Sequence, residues 1–73
     1  MDKEYIRERL REMEDEAKRI RKEVSDLYST GLALRTVAVG REAEVLEKTL
    51  AEINNASLAM SGVIGTLERI RKL

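Results

Sequence analysis

The chain of 73 residues contains no cysteine and no histidine, so disulfide bonds and the usual zinc and redox centres are excluded. Fourteen basic residues balance fourteen acidic ones, and this zero net charge argues against strong attraction of nucleic acid. A single core in a chain this short rarely contributes more than about 3–5 kcal/mol, so self-association is the remaining source of stability.

The N-terminal segment shows the clearest helical pattern. Between residues 2 and 28, apolar side chains recur at alternating spacings of four and three, as in a coiled-coil heptad. These side chains are Ile6, Leu10, Met13, Ala17, Ile20, Val24 and Leu27. Most residues between them are charged, and Glu14 and Lys18 have the spacing of an ion pair along a helix. We predict an outer helix with one apolar stripe and a solvated back.

Two glycines in the middle of the chain, Gly31 and Gly40, are candidates for a turn. A turn at Gly40 places Arg35 near the end of the first helix and Glu42 in the first turn of the second, where both charges suit the helix dipole. Gly40 can also adopt the left-handed conformation that ends many helices. Gly31 is then a helix-interior residue, and replacing it with alanine is expected to be mild or stabilising.

The fold class that follows is all-α, with residues 1–73 forming a single domain. We predict an antiparallel helical hairpin of two long helices, an outer one over about 3–37 and an inner one over about 41–72. A turn at Gly31 and one continuous helix remain as alternatives.

The second helix is apolar on one broad face and carries small residues on its back. Residues 53–67 contain no charge, although 38% of the protein is charged. This pattern is typical of a helix packed against several neighbours, so we predict a coiled-coil-like oligomeric bundle of three or more chains. The predicted oligomer interface consists of Leu46, Leu50, Ile53, Ala56, Ser57, Leu58, Ala59, Met60, Gly62, Val63, Ile64, Gly65 and Leu67. Fifteen uncharged residues fall short of the roughly 20 that span a bilayer, so no membrane span is predicted.

A polar group in the same helix has two interpretations. Buried Thr49, Asn54 or Asn55 could fix the register and the number of chains in a bundle, as a buried asparagine does in coiled coils. The alternative is that these side chains are simply exposed.

The sequence contains no convincing reaction centre. No serine has a histidine to activate it, and the acids at Glu12, Glu14, Asp15 and Glu16 alternate with basic residues, as on a solvated face. We therefore predict no enzyme activity, no cofactor and no metal site. Weak candidates for phosphate contacts are Arg7, Arg11, Lys18 and Lys22, but neighbouring glutamates cancel most of their field.

The composition, which lacks Pro, Phe and Trp, is similar to that of hyperthermophile helical proteins and of de novo designed bundles, and it names no family. The function we predict is a thermostable, self-assembling structural subunit of a helical bundle, filament or shell. The alternatives are an adaptor module that binds a partner helix, and a designed bundle without a biological role. With no signal peptide, the expected location is cytoplasmic.

Overall fold

The computed structural model describes residues 2–73, and these residues form two long helices with no strand between or beside them. Helix α1 comprises Lys3–Arg35 and helix α2 comprises Gly40–Arg71. The two helices pack side by side in opposite directions, which confirms the predicted all-α helical hairpin. The Cα positions extend over 57 × 16 × 14 Å, so the hairpin is a thin rod.

Helix α1 is capped at its first turn by a side chain. Asp2 has extended backbone angles, and its carboxylate accepts a hydrogen bond of 3.1 Å from the N–H of Glu4. Aspartate is among the preferred residues at this position because it satisfies an N–H that has no partner within the helix. At the other end, α1 stops at Arg35, two residues before its predicted end, and the Thr36 hydroxyl donates to the carbonyl of Ala33 over 2.8 Å.

The chain reverses over residues 36–39, and Gly40 has a φ of +61°. The left-handed conformation expected for Gly40 is therefore present, but this residue begins α2 and does not end α1. Val39 precedes it with extended angles and no side-chain hydrogen bond to the helix. Gly31 lies inside α1, four residues before its end.

The core between the helices is narrow. Its buried apolar residues are Ala17 from α1 and Leu50, Ile64 and Leu67 from α2. Close approach near the turn depends on Gly31, because a Cβ atom added there would lie 2.6 Å from Cδ2 of Leu50. The missing side chain at Gly31 thus makes room for Leu50 against the backbone of α1.

Candidate functional site

Helix α2 covers only half of the apolar stripe of α1. Leu10, Ala17 and Val24 are buried or partly buried between the helices. The other half of the stripe repeats every seven residues and is exposed to solvent. It consists of Ile6, Met13, Ile20, Leu27 and Leu34, whose exposed fractions lie between 37% and 55%.

Helix α2 continues this exposed stripe on the same side of the hairpin. The ion pairs of Arg71 with Glu14 and of Arg35 with Glu47 show which residues of the two helices lie level with each other. With that alignment, Val63 lies level with Ile20, and both side chains are exposed. We name this surface the apolar face, and it consists of Ile6, Met13, Ile20, Leu27, Leu34, Thr49, Ala56, Val63 and Ile70.

The apolar face ends at the turn in an open groove of about 590 Å³, which we name the turn-end groove. Residues of both helices and of the turn line it, and most of them are apolar. They are Leu34, Val37, Ala38, Arg41, Glu42, Val45, Leu46 and Thr49.

The opposite side of the hairpin carries the charges. Glu14 is only 3% exposed, and its carboxylate accepts hydrogen bonds from Nε of Arg71 over 2.9 Å and from Nη2 of Arg71 over 3.5 Å. Nζ of Lys18 lies 3.0 Å from the same carboxylate. Lys18, together with Arg71, holds the pKa of Glu14 below its ordinary value of 4.5, although burial acts in the opposite direction.

The burial of Glu14 corrects the prediction that the whole acid cluster is solvated. Glu12 and Glu16 are exposed, and each pairs with a neighbouring arginine on α1. Unlike these two acids, Glu14 lies at the edge of the contact between α1 and α2. Only the alignment of the two helices places Arg71 beside it, and the sequence pattern of α1 contains no signal for this contact.

The predicted oligomer interface divides into two groups in the hairpin. The members that face α1 are wholly or partly buried, and they are Leu46, Leu50, Ile53, Ser57, Met60, Ile64 and Leu67. Of the others, Ala56, Ala59 and Val63 lie on or beside the apolar face, and Leu58 and Gly62 lie on the back of α2. Gly65 is partly buried, and the atom nearest to a Cβ added there belongs to Arg69 of the same helix.

The polar residues predicted to fix the register do not lie between the helices. Asn54 and Asn55 are exposed, and Thr49 lines the turn-end groove while its hydroxyl donates to the carbonyl of Val45 over 2.8 Å. We call the end of the hairpin opposite the turn, where α1 begins and α2 ends, the open end. Near this end, a polar contact between Glu14 and Arg71 joins the two helices.

The four candidate phosphate contacts do not form a free basic cluster. Lys18 is paired with Glu14, and Lys22 lies 3.3 Å from the carboxylate of Asp26. Arg7 and Arg11 are exposed on α1.

Between Asp2 and Leu73, neither helix is long and apolar enough to cross a membrane. The same residues contain no group of three or more acidic side chains placed to hold a metal ion. Comparisons of the chain with protein-family models, with curated proteins and with solved structures found no match.

Proposed function

We propose that this protein is a self-assembling structural subunit, in which further copies of the chain cover the apolar face to complete a helical bundle. The observation that supports this proposal is the direction of the two heptad stripes. Each stripe points to one side of the hairpin and not directly at the other helix. Contact between α1 and α2 therefore buries only half of the apolar side chains in each stripe. In a four-helix bundle, by comparison, each helix directs its stripe toward the common axis and packs against two neighbours.

The exposed area of the hairpin agrees with this proposal. Its accessible surface is 5872 Å². A compact protein of 8.3 kDa exposes about 4,600 Å², so the chain has an excess of about 1,300 Å². A standard protein interface covers about 800 Å² on each partner. The excess is therefore large enough for a stable pairing of copies.

The unequal sides of the hairpin favour a closed assembly. The side that holds Glu14, Arg71 and Lys18 is charged, so covering the apolar face leaves no second broad apolar side for continued growth. A filament or shell needs another contact surface, and the back of α2 around Leu58 is the candidate for it. A single exposed leucine is common on protein surfaces, so the closed bundle has the stronger support.

Sedimentation analysis of two matched variants tests this proposal. We expect the unmodified protein to sediment as two or more chains at micromolar concentration. Leu27→Glu places a charge within the apolar face and should produce monomers, because a buried unpaired carboxylate is strongly unfavourable. Leu58→Glu is the control, since Leu58 is exposed to a similar degree on the back of α2 and should leave the assembly intact.

A helical monomer at every concentration would contradict the proposal. It would favour the second candidate function, an adaptor module, which the turn-end groove supports. An open apolar groove of about 590 Å³ between two helices is the kind of surface that accepts the apolar side of an amphipathic helix. Saturable binding of such a peptide to a monomeric hairpin would establish this alternative.

A further inference from the structure

We infer that the apolar face is covered by one second copy, packed with its turn at the opposite end, so that its open end fills the turn-end groove. This inference rests on the proposed self-association and adds the number and the direction of the partners. The groups that would enter the groove are Ile6 and Leu73 of the second copy.

The apolar face changes in shape along its length. At the open end α2 contributes Ile70, the largest of its four side chains on this face, whereas nearer the turn it contributes Ala56 and Thr49. The face then ends in the turn-end groove. Leu73 extends the open end and is 94% exposed.

The direction of the second copy also decides how evenly the interior of the bundle is filled. If the two copies had their turns at the same end, Met13 of each copy would lie against Ile70 of the other. The two turn-end grooves would then face each other. Reversing one copy places an open end over a turn-end groove at both ends of the bundle. The interior then has nearly even volume along its length, as close packing requires.

The rod is 57 Å long, with Leu73 near one end and the turn-end groove at the other, so Leu73 cannot enter the groove of its own hairpin. A twofold axis that crosses the apolar face near Ile20 and Val63 brings each open end over the groove of the other copy. This one symmetric contact fills both grooves, so the assembly is complete with two copies.

The two arrangements also place different helices beside each other. A twofold axis perpendicular to the rod sets α2 against α2 of the second copy, with Ala59 close to the axis. An axis along the rod sets α2 against α1 of the second copy instead, and Ala59 then lies near Glu23 of that copy.

The protein contains no cysteine, so single introduced cysteines allow both features to be measured. A spin label on Val39→Cys, at the exposed turn, reports the distance between the two turns in the dimer. About 17 residues at 1.5 Å each separate the turn from the axis, so the reversed pair predicts about 50 Å, against roughly 20 Å for turns side by side.

Cross-linking provides the second readout. On oxidation, Ala59→Cys should form a disulfide-linked dimer in the reversed arrangement. Asn55→Cys, on the back of α2, is the matched control and should not cross-link. In the parallel arrangement, cross-links would instead form between chains carrying Glu23→Cys and chains carrying Ala59→Cys.

The outcomes separate this inference from the proposed function. A dimer with distant turns and an Ala59→Cys cross-link supports the reversed pair. A dimer with adjacent turns, or an assembly of three or more chains, overturns the reversed pair and leaves self-association intact. A monomer overturns both.

Discussion

At the scale of single residues, Glu14 is a buried carboxylate that links the two helices. A carboxylate buried between two helices is stable only when partners compensate for its lost hydration. Arg71 and Lys18 supply that compensation from two directions, one from each helix. Because Arg71 lies in the last turn of α2, its contact with Glu14 holds that turn against α1.

The stability of the protein should therefore depend on the charge of Glu14. The pKa of this carboxyl is lowered in the folded protein, so its contribution is present above the ordinary value of 4.5 and is lost as the pH falls through the folded-state pKa. We expect Glu14→Gln to unfold more easily than the unmodified protein at pH 7. The difference should shrink as the pH falls below the ordinary carboxyl range.

Chemical denaturation of both proteins across this pH range, at one fixed protein concentration, measures the effect. Glu12→Gln is the control, because Glu12 pairs with Arg9 on an exposed surface, where such pairs contribute little. Equal stability of Glu14→Gln and the unmodified protein at neutral pH would contradict a stabilising role for the buried contact.

At the scale of the helices, packing between α1 and α2 decides the role of each glycine. The sequence leads us to expect that alanine at Gly31 is mild or stabilising, because a glycine inside a helix costs about 1 kcal/mol. The structure leads to a different expectation, since the added Cβ would lie 2.6 Å from a methyl group of buried Leu50. Leu50 would have to move, and overfilling a packed contact typically costs about 1–3 kcal/mol.

We therefore expect Gly31→Ala to destabilise the hairpin by about 1 kcal/mol, after the gain in helix propensity is subtracted. Gly62→Ala is the matched comparison, because no atom lies within 4 Å of the position of its added Cβ. This second variant should gain about 1 kcal/mol from helix propensity alone. Urea unfolding of the two variants measures both values, and a reversed order would show that α1 and α2 do not pack closely at Gly31.

At the scale of the whole molecule, the hairpin is extended. Its radius of gyration is 16.8 Å, whereas a compact domain of 73 residues has about 11 Å. A rod this thin exposes a large share of its apolar side chains. The expectation of three or more chains assumed that both the apolar face and the back of α2 are covered. Two copies are enough if only the apolar face is buried.

Self-association in turn predicts that thermal stability depends on protein concentration. If unfolding is coupled to separation of two chains, each tenfold increase in concentration adds about 1.4 kcal/mol and should raise Tm by about 4 °C. Circular dichroism melts over a wide concentration range measure this shift. A Tm that stays constant while the helix content is high would show that the hairpin is stable as a monomer.

The sequence predicts the long helices and the turn of the hairpin because these features depend on residues that are close together in the chain. The heptad spacing from Ile6 to Leu27 predicts a long helix, and the i, i+4 spacing predicts the contact of Glu14 with Lys18, which the structure contains at 3.0 Å. Charge near helix ends also favours Gly40 over Gly31 as the turn. Each of these signals depends on residues within a few positions of one another.

The rotation of the helices about their axes depends instead on contacts between distant residues. A heptad stripe gives the apolar side of a helix, but it does not say which edge of that stripe meets the neighbour. Leu50 against Gly31 and Arg71 against Glu14 select one edge, and they leave Ile20 and Leu27 exposed on the other. The apolar face therefore emerges only in the folded hairpin, because it is the part of each stripe that packing between α1 and α2 leaves uncovered.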